Sequence, residues 1–182
     1  MMSTFVNHRR ISQHKKTLQP RALFGFSMVE LLVVIAILGI LSAIAIPSFK
    51  ETILGAKLRS YSNNLASNAF LARGEAIKSN APVTICVSTN GTTCATGGWE
   101  QGWIILSGTT VILRQQAISS GYKISESIGL TSLTFQPTGI GATQAILTVC
   151  RATPQAGNQE RVVTISATGR PSVSKTATGT CA

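Results

Sequence analysis

The feature that most constrains this chain is an apolar run at residues 26–46, FSMVELLVVIAILGILSAIAI, whose single ionisable side chain is Glu30. A helix rises about 1.5 Å per residue, so a run of this length reaches about 30 Å, the thickness of a bilayer core. The residues before it carry bases and no acid, which predicts that they stay in the cytoplasm while the remainder is exported. The sequence therefore predicts one membrane-spanning helix and a domain outside the membrane.

A cleaved secretory signal peptide is the alternative interpretation of this run. The run is longer than an ordinary signal-peptide core, no A-x-A-like site closes it, and helical sequence continues beyond it. Glu30 separates the two interpretations, because a carboxylate in lipid is costly and indicates a partner. The natural partner is a positive amine at the end of another such helix.

The junction before the run carries a specific resemblance. Residues 25–30, GFSMVE, followed by the apolar run and Pro47, resemble the class III signal of type IV prepilins and pseudopilins. The resemblance implies that a prepilin peptidase cuts between Gly25 and Phe26 and methylates the new amino terminus. It also implies that Glu30 is the family's assembly glutamate and that Pro47 is its helix-kinking proline. The leader is long for the family.

Glu30 and Pro47 have physical consequences that agree with this resemblance. In an assembled filament, Glu30 would neutralise the terminal amine of Phe26 on a neighbouring pilin or pseudopilin. Because an unpaired buried charge is costly, this pairing would set the register between subunits. Pro47 lacks a backbone donor, so a bend or local melting of the helix is expected there.

Helical sequence continues beyond Pro47 as an amphipathic segment that ends near residue 79. Asn80-Ala81-Pro82 predicts the end of the helix, because a proline biases the preceding residue away from helical geometry. Apolar residues spaced by three and four form one stripe, which predicts packing against a globular head. The stripe comprises Leu54, Leu58, Tyr61, Leu65, Ala69, Ala72 and Ala76.

Short β-branched segments separated by Gly, Ser, Thr and Asn follow the helix and predict strands. They are residues 83–87, 102–106, 110–114, 122–125, 133–135, 145–150 and 161–166. The predicted fold is α+β, the pilin fold: a long N-terminal helix, transmembrane in its first half, packed against a mainly antiparallel β-sheet head. The predicted domains are a cleaved leader (1–25), a transmembrane helix (26–46), its amphipathic continuation (47–80) and a β-rich head (81–182).

Further motifs resemble the GspH/FimT branch of this family, the FimT/FimU-type minor pilins and pseudopilins. WEQGWI at residues 99–104 resembles its GW signature, and FQPTG (135–139) and RVVTISATGR (161–170) resemble its C-terminal motifs. Core or hairpin packing is the other interpretation of Trp99 and Trp103.

Four cysteines lie beyond the apolar run: Cys86, Cys94, Cys150 and Cys181. An even number in a Thr-, Ser- and Gly-rich region predicts disulfides formed in an oxidising compartment. Asn90-Gly91 predicts a hairpin clasped by the first two cysteines, with a bulge or a longer loop. The last two would then tie the C-terminal tail to the sheet. Four unrelated thiols are the alternative, and a zinc site is disfavoured because there is no CxxC pair and both histidines lie in the leader.

Catalytic constellations are absent from the sequence. There is no Asp, no His beyond the leader, and each Glu stands alone. No Gly-rich phosphate loop precedes a Lys-Ser or Lys-Thr pair, and no nucleophile has a base to activate it. We therefore expect no enzyme, no cofactor and no metal, and a protein that acts by assembly and binding.

The net charge of +10 comes from 16 Lys and Arg residues against 6 acids, and five of the bases lie in the leader. The C-terminal region holds four candidate DNA-binding bases, Arg151, Arg161, Arg170 and Lys175. The branch resemblance implies that Gly169-Arg170 matches a Gly-Arg motif through which some minor pilins bind DNA. Pro171-Ser172 stands where a further Arg is expected. The alternative is a solvated basic tail at a sheet edge.

We expect a minor pilin of a type IV pilus that helps to initiate or tip the filament. The alternatives are a minor pseudopilin of a type II secretion system and a DNA-receptor pilin with a basic C-terminal patch. The expected location is the bacterial inner membrane, single-pass with a periplasmic head, and then the filament. The expected partners are the prepilin peptidase, other major and minor pilins or pseudopilins, the inner membrane and, as a further candidate, DNA.

Overall fold

The computed structural model describes residues 25–140, 142–153 and 159–181. Within them one α-helix is followed by eight β-strands, and a short 3-10 helix, Trp99–Gln101, leads into the second strand. The elements are α1 (Met28–Ser79), β1 (Val83–Val87), β2 (Gly102–Ser107), β3 (Thr110–Gln116), β4 (Tyr122–Glu126), β5 (Ser132–Phe135), β6 (Ala145–Arg151), β7 (Arg161–Ile165) and β8 (Pro171–Lys175).

The chain divides into two compact units, with the boundary between Ile44 and Ala45. In the first unit, the described residues 25–44 are exposed along their whole length. By length and composition, α1 is a helix that could cross a membrane, with its most apolar window near the N-terminus. The predicted apolar helix is therefore present, and its surface requires lipid or other helices to cover it.

Helix α1 is continuous through Pro47, so the local melting predicted for that position is not observed. Its C-terminal end follows from Asn80, which adopts a positive φ of 50°. The Asn80 N–H donates to the Ile77 carbonyl at 3.4 Å, and the Ala81 N–H donates to the Ala76 carbonyl at 3.2 Å. This is a Schellman motif with asparagine in place of the usual glycine, and it ends the helix where the sequence predicts.

The second unit, which begins at Ala45, contains two antiparallel four-stranded sheets. Their strand orders are β3-β2-β1-β5 and β4-β6-β7-β8. The seven predicted strands are all present, within two residues at each end. The eighth, β8, was not predicted. It lies at a sheet edge, where few side chains are buried, and its sequence is correspondingly polar.

The core of the second unit lies between the second half of α1 and the inward faces of the sheets. The predicted apolar stripe contributes to it as expected: five of its residues are buried, and Leu54 and Tyr61 are partly buried. Trp99 and Trp103 are also buried, and the Trp99 Nε1–H donates to the Leu130 carbonyl at 2.8 Å. Core packing therefore accounts for both tryptophans.

The hairpin predicted around Asn90-Gly91 takes its longer-loop form: β1 pairs antiparallel with β2, the next strand in the chain, and residues 88–101 join them. Strand β1 pairs with β2 and β5, and the segment after it is a loop. The Asn90 Oδ1 accepts hydrogen bonds from the Thr92 and Thr93 N–H groups, and the Ser88 hydroxyl donates to the Thr93 carbonyl. These side chains satisfy the backbone locally, so the turn needs no second strand.

Candidate functional site

The residues predicted for processing and assembly lie at the start of the described chain. Gly25 and Phe26 precede α1, and Glu30 lies in its first turn, where a carboxylate interacts favourably with the helix dipole. Phe26 and Glu30 are both exposed, and within the described residues no ion pair includes Glu30. The isolated chain therefore leaves this carboxylate available to a partner.

The disulfides are those expected from the sequence. Cys86 of β1 is bonded to Cys94 in the following loop, and Cys150 of β6 is bonded to Cys181 in the C-terminal tail, with Cα atoms 5.5 Å apart in each pair. The Glu160 carboxylate, which is 1% exposed, holds the same tail. It accepts hydrogen bonds from the Thr178 and Gly179 N–H groups at 3.0 and 2.7 Å.

Arg151 requires a correction to the predicted basic patch. It lies at the end of β6, is 4% exposed, and its guanidinium forms an ion pair with Glu51 of α1 at an Nη1–Oε1 distance of 3.3 Å. A buried, paired guanidinium cannot reach a phosphate backbone in solution. Arg151 therefore belongs to the contact between helix and sheet and not to a nucleic-acid surface.

The three remaining bases of the predicted patch do not lie together. Arg161 and Lys175 are directly opposite each other in the β7–β8 pairing. Arg170 lies before the other end of β8, about 16 Å away along the strand. The structure thus brings two of the four bases together, buries one, and leaves Arg170 exposed at the β7–β8 turn.

Gly169 has a packing role that the motif alone did not reveal. Its φ is +69°, and a Cβ at this position would lie 3.1 Å from Phe135 Cδ1 and 3.2 Å from Arg73 Cδ. The Arg73 Nε–H donates to the Thr168 carbonyl at 2.8 Å, which ties the β7–β8 turn to α1. Arg73 lies outside the predicted apolar stripe of α1. Only the tertiary contact identifies it as a neighbour of the turn.

A groove of about 420 Å³ lies on the second unit, between the first turns of α1 after Ala45 and the end of the β7–β8 pair. We call it the basal groove. It is lined by Ser48, Glu51, Thr52, Gly55, Arg59, Gln159, Arg161 and Lys175. A Cβ on Gly55 would lie 2.5 Å from Gln159 Oε1, so glycine permits the Gln159 side chain to approach α1 closely in the groove.

Glu126 organises the loop after β4. Burial opposes ionisation of its carboxyl, but hydrogen bonds from the Leu130, Ile128 and Ile146 N–H groups and from the Ser127 hydroxyl outweigh it. Together they hold the pKa of Glu126 below its ordinary value. The arrangement stabilises the fold and presents no reacting group.

Comparison with known protein families gives two matches. The family described as "Type II transport protein GspH" matches residues 62–169, and the "Prokaryotic N-terminal methylation motif" matches residues 24–46. The first match runs from the second half of α1 through most of the head, and the second covers the junction and the apolar run. Comparison with curated proteins gives no match.

Solved structures of one minor pilin show the same fold at low identity. Two crystal forms of the type IV minor pilin FimU from Pseudomonas aeruginosa PAO1 have TM-scores of 0.51 and 0.52 at 19% and 20% identity. They cover 64% and 65% of this chain and 91% and 89% of FimU. The minor pseudopilin EpsH from Vibrio cholerae has a TM-score of 0.47 at 13% identity, covering 68% of this chain and 99% of EpsH.

Proposed function

Since the chain belongs to the family described as type II transport protein GspH, whose members are minor pilins and pseudopilins, we propose that it is a minor pilin of a type IV pilus. The observation that carries the proposal is the Gly25-Phe26 junction, followed by Glu30 and a fully exposed apolar helix. A helix with this surface is stable only in lipid or among other such helices. The role is structural, and the protein acts by assembly with other pilins.

In the proposed maturation, the prepilin peptidase first removes a leader, residues 1–25. Residues 26–46 then anchor the protein in the inner membrane, residues 47–80 carry the head, and residues 81–182 lie in the periplasm. The two disulfides support this location, because disulfides persist in oxidising compartments. N-methylation of Phe26 follows cleavage.

Assembly is proposed to occur through the amino-terminal end of α1. A Glu30 carboxylate entering a bundle of helices needs a cation, and the terminal amine of Phe26 on the adjacent subunit supplies one. Pro47 marks the end of the segment that inserts between neighbours. As a low-abundance subunit, the protein is assigned to the start or the tip of the filament.

A minor pseudopilin of a type II secretion system is the alternative. The likeness to FimU supports a fold that pilins and pseudopilins share. Whether the chain serves a type IV pilus or a type II secretion system therefore has to be determined in the cell. The test is to locate an epitope-tagged chain in the organism that makes it. We expect it in sheared pilus filaments, cross-linked to the major pilin. A chain that is absent from filaments and cross-linked to pseudopilins would assign it to secretion.

The epitope-tagged chain, expressed in the same organism, also tests whether the leader is removed. In cells with active prepilin peptidase, intact-mass spectrometry should find a chain that begins with N-methyl-Phe26. In cells without the peptidase, the leader should remain. A leader retained in both strains would contradict the proposed anchor.

DNA capture is a second candidate function, favoured by one observation. Arg170 is exposed at the β7–β8 turn, and Arg73 contacts the same turn through Thr168. Two bases support only weak, sequence-independent phosphate binding that falls steeply with salt. The test is DNA binding by the mature chain in detergent micelles across a salt series, with Arg170→Gln compared with Lys123→Gln. Binding that survives Arg170→Gln would exclude this turn as the site.

A further inference from the structure

The two sheets have four edge strands, β3 and β5 in one sheet and β4 and β8 in the other. On β5, the Thr134 N–H donates to Thr143 Oγ1 at 3.1 Å and the Thr134 carbonyl accepts from the Thr143 N–H at 2.9 Å. β8 begins with Pro171, which has no N–H to donate, and ends with Lys175. Both residue types discourage pairing at a sheet edge, so β5 and β8 are protected from a further strand.

The other two edges differ from each other. β4 is tied at both ends, because the Tyr122 N–H donates to the Ser119 carbonyl at 3.4 Å and the Glu126 carbonyl accepts from the Gly129 N–H at 3.3 Å. In the part of the chain that the structure describes, no hydrogen bond beyond the pairing with β2 uses a backbone group of residues 110–115. The edge of β3 is therefore open along most of the strand.

The pairing of β3 with β2 leaves the backbone of Arg114 on the open edge. In an antiparallel ladder, alternate residues direct their N–H and C=O groups to opposite sides of the strand. The Ser88 N–H donates to the Gly102 carbonyl on the β1 side of β2. The next residue, Trp103, therefore bonds on the β3 side, where its partner is Gln115. Arg114, one residue before Gln115, presents its own N–H and C=O to a further strand.

The Arg114 side chain also lacks a partner. It is exposed, and among the described residues no ion pair or hydrogen bond includes its guanidinium. Cross-strand pairs of opposite charge stabilise a sheet and like charges destabilise it. A strand that pairs with this edge is therefore favoured when it places a carboxylate directly opposite Arg114.

A second copy of β3 does not supply that carboxylate. Residues 110–116, TVILRQQ, contain no acid. Any pairing of β3 with itself leaves Arg114 opposite an uncharged side chain or opposite the same arginine, whatever the register. The missing acid indicates a strand from a different protein.

The side of the edge that faces α1 is apolar. Leu113 packs against the hydrophobic core. Asn64 of α1 donates to Gln115 Oε1 at 2.6 Å, so this part of the helix lies beside β3. Leu71 is on the same face of α1, seven residues after Asn64, and is 36% exposed. Apolar side chains of an added strand would cover this surface.

From these observations we propose that the open edge of β3 docks an extended strand of another pilin or pseudopilin. That strand carries an acidic side chain opposite Arg114 and apolar side chains on the face toward α1. Main-chain hydrogen bonds would extend the sheet by one strand, and the alternating side chains would give specificity. The inference rests on the proposed function for the kind of partner, and it adds a surface of the head to the contacts made by the amino-terminal end of α1.

The test measures the binding of synthetic peptides to the mature chain, residues 26–182, in detergent micelles by fluorescence anisotropy. The acidic peptide is TVTVEVTVT, and the basic peptide has Lys in place of its Glu. We expect the parent to bind the acidic peptide about five- to tenfold more tightly than the basic one. Arg114→Glu should reverse this preference. The matched control, Lys175→Glu, changes the charge of a protected edge strand and should leave the preference as it is in the parent.

Two further measurements test the backbone pairing. A peptide with the acidic sequence, N-methylated on its Glu and Thr residues, lacks the N–H groups that would face β3 in an antiparallel pairing and should not bind. The Arg114 amide should exchange rapidly in the free chain and should be protected by the acidic peptide. This exchange measurement uses the parent alone, so it decides the question even if a variant fails to fold.

Three results would overturn the inference: equal affinity of the parent for the two charged peptides, an unchanged preference in Arg114→Glu, or binding of the N-methylated peptide. Absence of peptide binding and of amide protection would overturn it as well. A chain that is missing from both pilus filaments and pseudopilin cross-links would instead contradict the proposed function, whatever the peptides show.

Discussion

Arg151 and Glu51 form an ion pair across 100 residues of sequence, with Nη1 and Oε1 3.3 Å apart. The Arg151 side chain is 3% exposed and that of Glu51 is 58% exposed, so a buried cation is compensated from the surface. The Tyr122 hydroxyl donates to the Leu54 carbonyl nearby, at 3.4 Å. Both contacts join α1 to the sheet that contains β4 and β6, close to the basal groove.

Glu51→Gln should destabilise the head, because it removes the charge that compensates Arg151. Breaking a buried pair typically costs about 3–5 kcal/mol. Solvent screens the exposed partner here, so we expect the free energy of unfolding to fall by about 1–2 kcal/mol. Urea unfolding of the mature chain in micelles, followed by the fluorescence of buried Trp99 and Trp103, measures this.

The matched control for that measurement is Glu75→Gln, which breaks the Lys78–Glu75 contact on the surface of the same helix. Its cost should stay below about 0.5 kcal/mol. Equal losses for the two variants would show that the burial of Arg151 gives Glu51 no special role.

Gly169→Ala should cost about 1–3 kcal/mol of unfolding free energy, because a Cβ would crowd Phe135 and Arg73 at a positive φ. The matched control, Gly108→Ala, separates the cost of steric crowding from the cost of backbone strain. Gly108 also has a positive φ, +58°, but a Cβ there meets nothing within 4 Å. Thermal unfolding of both variants measures the difference, and equal costs would leave strain as the whole explanation.

The stability of the head should depend on Glu126 at acidic pH. Because the folded pKa lies below the ordinary value of about 4.3, its contribution is present above that pH and is lost as the pH falls through the folded pKa. Unfolding free energies between about pH 5 and pH 3 should therefore decline more steeply for the parent than for Glu126→Gln. Parallel declines would refute the effect.

Glu30→Gln should still insert in the membrane but should enter filaments at least about tenfold less, since the neighbouring amine loses its counter-charge. Immunoblots of sheared filaments and of membranes give the ratio. Glu30→Asp keeps the charge and should retain more of the filament signal. A Gln variant at parental levels in filaments would contradict the pairing.

Sequence patterns identify the strands whose residues are buried and miss the polar strand at a sheet edge. Strands such as β1 and β6 were predictable because β-branched residues cluster where burial requires them. β8 was missed because Ser172, Ser174 and Lys175 give an edge strand the composition of a loop. Asn90-Gly91 does not form a tight two-residue turn, because Ser88 and Asn90 satisfy the backbone of a longer loop locally.

The candidate sites divide in the same way. The junction and Glu30 are local motifs, readable in a few residues. The burial of Arg151 has a signal in the sequence, because Arg151 continues the inward alternation of Leu147 and Val149 along β6. Its partner, 100 residues earlier, could not be predicted without the tertiary structure. The basal groove likewise exists only because β7, β8 and α1 meet.

The disulfide and the Glu160 hydrogen bonds that hold the C-terminal tail set an order of events in biogenesis. Cys181 follows every strand of the head in the chain, yet it bonds to the buried Cys150, and Glu160 holds the same tail through Thr178 and Gly179. If the head is exported as proposed, the tail can therefore be locked only after Cys181 has crossed the membrane and the two thiols have been oxidised. In the proposed function, a subunit that is still crossing the membrane lacks this disulfide, so oxidation of the tail distinguishes an arriving subunit from one ready for assembly.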